Sequence, residues 1–329
     1  MVHLTGPSAA RDRGGQPPLV VLLASPRGFC AGVRRAIAAV EDALAAHGAP
    51  VYVRRAIVHN VAVVRELQAL GAVFVDELDE VPPGAVVVLS AHGVAPAVAE
   101  DAATCGHTVY DAVCPLVTKI HREVARYHRQ GRHVLLVGHD GHPEIVGTMG
   151  HLPEGAATLV RSAADVASLP FTRRAPLSYA VQSTFSVGDA AAVVEAIEDR
   201  FEDVAAPAAS DICYATTNRQ AAIGELAAQA DAVIVVGERF SSNANRLAEV
   251  AADRCAMVQL VPEAAQLDWS ALPAGGGGVA ITAAASTPDG SIAEIVEALG
   301  RRYRVSASQP RTVDEKARFP RVRVPRPSL

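Results

Sequence analysis

None of the 5 cysteines in this sequence stands in a C-x-x-C pair. Structural zinc usually relies on such local pairs, so their absence speaks against a zinc ribbon or finger. An odd count in no pairing pattern also speaks against a disulfide framework, and it leaves metal or catalytic roles open for some of the five. Aromatic residues are scarce at 4%; Ala and Val supply much of the 50% that is hydrophobic, a mix suited to packed helix–sheet layers. Long apolar runs are missing as well. The strongest near the start, Leu19 to Ala24, has six residues, against roughly 20 for a helix that crosses a membrane. That run is also too short for a secretory signal, and it follows Pro17-Pro18. A basic excess is lacking too, with 30 Lys and Arg against 35 Asp and Glu. This argues against general nucleic-acid binding but not against a locally held anionic ligand. A cytoplasmic location with reduced thiols is expected.

What the chain does contain is a threefold internal repeat. Each copy opens with a loop ending in Cys and an amphipathic helical stretch. The first reads GFC-AGVRRAIAAVEDALAAHG, the second VC-PLVTKIHREVARYHRQG, the third IC-YATTNRQAAIGELAAQA, placing Cys30, Cys114 and Cys213 at matched positions. A β-rich run follows each helix: VYVRRAIV from Val51, HVLLVG from His133 and AVIVVG from Ala232. Each run ends in a polar cluster 28 or 29 residues after its cysteine: His59-Asn60, His142-Pro143-Glu144 and Ser241-Ser242-Asn243. A second cluster follows another strand in each copy: Ser90-Ala91-His92-Gly93, Gln182-Ser183-Thr184 and Ala285-Ser286-Thr287. Ser286 with Pro288 and Asp289 reads as a helix N-cap signature.

The expected fold class is therefore α/β: three similar lobes with mainly parallel sheets around a pseudo-threefold axis, enclosing a central cavity. The expected boundaries are a flexible N-terminal tail at 1–17, lobes at 18–112, 113–210 and 211–303, and a basic, Pro-rich tail at 304–329. Functional groups collect at the carboxyl ends of strands in such sheets. Here each lobe would bring one Cys and two polar clusters to the cavity. The plainer alternative is three βα units with ordinary buried cysteines; matched positions in all three copies argue against it. Cys105 and Cys255 have no counterparts and are read as structural.

Three convergent thiolates suit zinc or iron–sulfur, and their wide separation, 84 and 99 residues, favours the latter. A [4Fe-4S] cluster held by three Cys leaves one iron without a protein ligand, a Lewis acid on a group that can also deliver electrons. Neutral donors at helix N-termini suit a phosphate or diphosphate. Helix capping alone could account for any one Ser or Asn, but not for three histidines, His59, His92 and His142, in the same kind of position. Glu144 is the one carboxylate in the clusters, and an apolar, water-poor cavity would raise its pKa and make it a general acid.

The strings PRGFCAGVRRAI, IVHN, LSAHGV, CPLVTKIH, GHPEIVGTMG, ICYATTNRQ, SSNANRLAEV and AAASTPD occur in this order from Ser25 to about Gly290. On them the chain resembles the LytB/IspH family of 4-hydroxy-3-methylbut-2-enyl diphosphate reductases of the non-mevalonate isoprenoid pathway. The resemblance implies an oxidoreductase that removes the substrate's allylic hydroxyl as water, using two electrons and two protons, to give isopentenyl and dimethylallyl diphosphate. It implies that Cys30, Cys114 and Cys213 ligate a [4Fe-4S] cluster with an open fourth iron. His59, His92, His142, Ser241, Ser242, Asn243 and Ser286 would bind the diphosphate. Glu144 would supply protons through Ser183, with Gln182, Thr184 and Asn60 as supporting contacts. Reduced ferredoxin or flavodoxin would be the electron donor.

Several positions depart from the family pattern. Ser183 stands where Thr is usual, Glu238-Arg239-Phe240 where Ser-Lys-Asn is common, Ala284 for Gly and Val113 for Thr, and the tail from Arg304 is longer and richer in arginine. No ligand or acid is lost. The rival expectations are a divergent paralogue acting as a cluster-bearing sensor, which would need no proton donor, or a redox-neutral iron–sulfur dehydratase, which would consume no electrons.

Overall fold

The structure is a computed structural model and describes residues 15–310 and 313–323. Most of the N-terminal tail expected at 1–17 thus lies outside the described residues, as do 311–312 and 324–329 of the C-terminal tail. A first strand, β1 (Pro18–Leu23), leads through the Cys30 loop into α1 (Ala31–His47). Then come β2 (Val51–Arg54), α2 (Val61–Ala69), β3 (Ala72–Val75), β4 (Val86–Leu89), α3 (Pro96–Thr104) and β5 (Thr108–Asp111). After Cys114 the order is α4 (Pro115–Arg129), β6 (His133–Val137), α5 (Pro143–Met149), β7 (Ala157–Val160), α6 (Ala163–Ala167), β8 (Leu177–Val181), α7 (Val187–Arg200) and β9 (Val204–Ala205). After Cys213 it is α8 (Tyr214–Ala227), β10 (Ala232–Val236), α9 (Ser242–Ala252), β11 (Val258–Val261), β12 (Gly277–Ala283), α10 (Asp289–Arg302) and β13 (Arg304–Ser308).

Three sheets result, ordered β3-β2-β4-β5, β7-β6-β8-β9 and β11-β10-β12-β1-β13, and their strand pairs are parallel. Parallel strands need crossover helices, and those helices cover both faces, so the strands read as continuous apolar runs. All five residues of LSYAV in β8 and of AVIVV in β10 are buried. Helix α1 shows the matching amphipathic logic: Ala36, Ala39, Val40 and Ala43, at spacings of three and four, pack on Val51, Val53 and Val88.

The strands differ from the sequence expectation in three places. The run VYVRRAIV ends as a strand at Arg54, because Arg55 takes φ 56 and turns the chain, while Ile57 and Val58 go on into the core without a strand partner. And β1, expected with the first lobe, lies in the third sheet, wedged between β12 and β13, with Leu19 opposite Gly277 and Val305. Residues 304–308, expected as tail, form the edge strand beside it. Adjacency in sequence suggested the grouping of β1 with α1, but a parallel strand need not pair with its neighbours along the chain.

The displaced strand explains the threefold arrangement. Each cysteine follows a strand of one sheet (β1, β5 or β9) and opens a helix that packs on the next: α1 on β2 and β4, α4 on β6 and β8, α8 on β12. Every cysteine therefore sits at a junction between lobes, facing the centre.

Candidate active site

The junctions are locked by one repeated bond. The backbone N–H of Cys30 donates to Ala285 O at 3.3 Å, that of Cys114 to Ala91 O at 3.0 Å, and that of Cys213 to Ser183 O at 3.0 Å. Each cysteine is thus pinned to the strand-end cluster of the preceding lobe. The cysteines are also the N-cap residues of their helices; the Cys30 and Cys213 sulfurs accept from the Val33 and Thr216 N–H groups, each at 3.4 Å, while Pro115 opens α4 after Cys114.

A central cavity lies between the three lobes. All twelve sequence-predicted site residues line it: Cys30, Cys114 and Cys213; His59, His92 and His142; Glu144 and Ser183; Ser241, Ser242, Asn243 and Ser286. Thr184 lines it too, whereas Gln182 and Asn60 do not. Gln182 works from behind, accepting from the His139 N–H at 2.9 Å and donating to Thr184 Oγ1 at 2.7 Å. Asn60 caps α2, its Oδ1 accepting from the Val63 N–H at 3.1 Å. Ser286 is not the cap the sequence suggested. Helix α10 starts later, with Pro288 at the N-cap, and Ser286 Oγ instead donates across the lobe junction to His59 O at 3.1 Å.

The thiols fit a metal cluster better than a single ion. Among the described residues no three His, Cys, Asp or Glu side chains close tightly enough to hold one metal ion. Yet the three cysteines share the cavity and influence one another: burial, then the neighbouring thiols, pushes Cys114 up to about 12, and burial pushes Cys213 up to about 11. Such thiols become thiolates only beside strong positive charge, which a group containing several metal ions supplies. The space is shaped for it by Gly32, where a Cβ would lie 2.9 Å from Cys114 Sγ and 3.7 Å from Cys30 Sγ.

On the far wall stand three packed imidazoles. His59 stacks on His92 with ring centroids 4.1 Å apart, and His142 meets both edgewise at 5.8 and 6.1 Å. Burial, and then their mutual repulsion, holds His92 well below its usual range and His142 at about 3; burial lowers His59. They are neutral at pH 7, each with one N–H to donate. Two buried donors on this wall have no partner among the described residues: His59 Nε2, if that nitrogen carries the proton, and Asn243 Nδ2. The amide of Asn243 is oriented by the Ala285 N–H, which donates to its Oδ1 at 2.9 Å. Unmet buried donors beside helix N-termini call for an acceptor-rich anion. The loop carrying His92 needs its glycine: Gly93 has φ +88, and a Cβ there would lie 2.5 Å from His121 Cε1.

Glu144 is 2% exposed. Burial raises its carboxyl to about 7, against the opposing hydrogen bonds from Ser183. It is thus poised to hold a proton at neutral pH and give it up nearby.

Sequence reasoning missed other wall residues. Tyr214 and Thr216 line the cavity next to Cys213, and the Thr216 hydroxyl lies 3.2 Å from the Cys213 sulfur. Their position just after a matched cysteine was the signal available. Phe319 lines it as well, from the C-terminal segment; no repeat pattern reaches that far along the chain.

Residues 21–300 match the family model described as LytB protein. The chain is 50% identical to the 4-hydroxy-3-methylbut-2-enyl diphosphate reductase of Methylocella silvestris, over 93% of this chain and 96% of that protein. It is 51% identical to the enzyme of the same name from Azoarcus sp., over 91% and 96%. Among solved structures it is similar to the E-1-hydroxy-2-methyl-but-2-enyl-4-diphosphate reductase from Plasmodium falciparum, with a TM-score of 0.86, 33% identity, and coverage of 94% of this chain and 96% of that one. The threefold lobes and the shared cavity thus coincide with a family match over most of the length, and the chain belongs to the LytB protein family.

Proposed function

We propose that this chain is a 4-hydroxy-3-methylbut-2-enyl diphosphate reductase, which replaces the allylic hydroxyl of its substrate by hydrogen to give isopentenyl and dimethylallyl diphosphate. The observation that carries this reading is the sharing of one cavity by three thiols, a protonatable Glu144–Ser183 pair and a wall of neutral polar groups that includes the unmet His59 Nε2 and Asn243 Nδ2. Relatives near 50% identity bear the name of that activity.

Cys30, Cys114 and Cys213 would hold a [4Fe-4S] cluster, which when bound supplies the two electrons and a Lewis-acidic iron. The other roles fall to the protein's own groups. His59, His92, His142, Ser241, Ser242, Asn243 and Ser286 bind the diphosphate with neutral donors, so its charge is met without a competing carboxylate at their positions. Glu144 passes a proton to Ser183, whose hydroxyl hands its own to the departing oxygen, which leaves as water. A hydroxyl at 183 serves here whether Ser or Thr carries it, and Ser loses only the methyl that limits rotamers. The buried walls keep bulk water from the reacting carbon. The chain works in the cytoplasm, and ferredoxin or flavodoxin is the donor; no described helix is long and apolar enough to cross a membrane.

Anaerobic purification followed by iron and sulfide analysis tests the cluster, and turnover with reduced methyl viologen tests the reaction. Formation of both isoprenyl diphosphates with two electrons consumed per product is the expected result. A bound cluster without turnover points to a sensor, and turnover without electron consumption to a dehydratase.

A further inference from the structure

The arginine-rich segment beyond β13 has a course of its own. Residues 313–323 form neither helix nor strand and differ in exposure: Glu315, Ala317 and Phe319 are half-buried, while Lys316, Arg318, Arg321 and Arg323 are exposed. Two contacts anchor the segment. Glu315 Oε1 accepts from Arg219 Nη1 at 2.8 Å. Arg219, itself 1% exposed, also donates to Gly28 O at 2.8 and 3.1 Å, two residues before Cys30. Farther along, the backbone carbonyl of Pro320 accepts from Arg35 Nε at 3.1 Å. The segment is therefore strapped to the helices that open at Cys30 and Cys213.

Beside the strap lies a groove whose walls include Arg34, Arg35, Arg318 and Arg321. It shares Phe319 and Tyr214 with the central cavity, so these two residues border both spaces. The groove is basic although the whole chain carries a formal charge of -5. Arg35 spends its donors on the carbonyls of Pro320, Val113 and Asp111, and Arg318 makes its hydrogen bond to Ala317 O. Carbonyls satisfy donors without cancelling charge. Arg34 lies 3.7 Å from Asp289 with both side chains 58% exposed, a weak pairing, while Arg321 pairs with Asp42 at 2.5 Å.

Electrons must reach the buried redox centre from outside. We propose that the basic face formed by Arg34, Arg35, Lys316, Arg318 and Arg323 is the docking surface for the reductant, a small acidic electron-transfer protein. This rests on the reductase reading above. Each docking passes one electron inward and oxidises one donor. Two dockings and two protons break the C–O bond, release the hydroxyl as water and form the new C–H bond. Opposite charge steers such brief encounters and mainly sets their on-rate, and interfaces of this kind are small.

The test uses holoenzyme with the double substitution K316E/R318E, both positions being exposed and outside the cavity wall. An acidic [2Fe-2S] ferredoxin is the probe. Its affinity by biolayer interferometry, and kcat/KM for it as donor, should fall at least about tenfold at about 50 mM salt, with the gap narrowing at about 300 mM as screening shortens. Turnover with reduced methyl viologen should stay within about twofold of the parent protein, since that small cation needs no docking face. R318Q should show a smaller loss in the same direction. Equal ferredoxin binding by parent and double variant would overturn the proposal. So would equal losses with viologen, or a parent protein that binds phosphatidylglycerol vesicles but not ferredoxin. If the parent fails to turn over with viologen, the reductase reading fails, yet the binding comparison still decides the surface.

Discussion

Ser183 holds Glu144 twice: its backbone N–H donates to Oε1 at 2.6 Å and its hydroxyl to Oε2 at 2.7 Å. The third lobe contains the same bond in reduced form. There Asn243 stands at the position matching Glu144, Ala285 at that matching Ser183, and the Ala285 N–H donates to Asn243 Oδ1 at 2.9 Å. In the first lobe the matching pair is Val61 and Ala91, with no acid and no hydroxyl. One repeated backbone geometry thus carries a proton-holding pair in one lobe only. When Glu144 is protonated it can donate to Ser183 Oγ, which frees the serine hydrogen to point into the cavity.

Glu144→Gln keeps the size of the side chain and the acceptor for the Ser183 N–H, but it has no comparably acidic proton. Turnover with reduced viologen should drop at least about 10²-fold, with iron content and diphosphate affinity near normal. If Glu144 merely oriented the cap at His142, affinity would fall instead of rate.

The pH profile follows from the raised carboxyl of Glu144, at about 7. In the proposed role the acid form is the working form, so turnover should fall as pH rises through about 7, and Glu144→Gln should lack this limb. Stability carries the same sign. A folded-state pKa above the unfolded value of about 4.3 means that the native state binds more protons between the two. The contribution of Glu144 is complete below the unfolded value and is lost as pH rises through about 7. The melting midpoint of the native protein relative to Glu144→Gln should therefore decline across that window; a rise would contradict the burial argument.

His92→Phe retains a ring to stack on His59 but removes the donors. A hydrogen bond to a charged acceptor is worth about 1.5–3 kcal/mol, so affinity for the diphosphate product should weaken roughly 10- to 150-fold, with cluster content unchanged. Isothermal titration with the product measures it directly, and an unaltered affinity removes His92 from the diphosphate wall.

Much of this site was legible because the fold repeats. Cys30, Cys114 and Cys213, the histidine and serine clusters and the lone Glu144 stood out by equal spacing, and parallel α/β topology sends equal positions to one place. The parts that stayed hidden depend on pairing across lobes. That β1 inserts between β12 and β13 leaves no local trace. Nor does the binding of Ser286 to His59 O, where a serine ahead of Pro288 and Asp289 looks like an ordinary cap. Arg219 occupies the helix position that Ala36 and Ile120 fill in the other lobes, and only the Glu315 and Gly28 contacts explain a fully buried arginine there. Phe319 reaches the cavity through those same contacts.

Cys30→Ser, Cys114→Ser and Cys213→Ser should each lose most of the iron and all activity, whereas substitutions outside the cavity should not. Cys105 is exposed at the end of α3, and Cys255 is buried at 7% with its thiol toward the carbonyls of Ala230 and Met257. Cys105→Ser and Cys255→Ser should retain full iron by colorimetric assay. Iron lost from Cys105→Ser but kept by Cys213→Ser would mean a different ligand set.

Gly32→Ala separates cluster binding from folding. Gly32 lies buried in the first turn of α1, where alanine is the better helix former by about 1 kcal/mol. Local propensity alone therefore predicts a protein at least as stable as the parent. The added Cβ, however, would lie 2.9 Å from Cys114 Sγ, closer than such atoms pack. The backbone of α1 cannot yield easily, because the Cys30 N–H is tied to Ala285 O and the Arg34 N–H to Cys30 O. The thiol of Cys114 is the part free to move, and turning away from Gly32 alters its placement beside Cys30 in the cavity. Apoprotein of Gly32→Ala should thus melt no lower than parent apoprotein, while its reconstituted iron content and visible absorbance fall well below. Full iron in this variant would show that Cys114 has room to spare and that the glycine serves no purpose at the cluster. A lower melting point in the apoprotein would instead place the cost in helix packing.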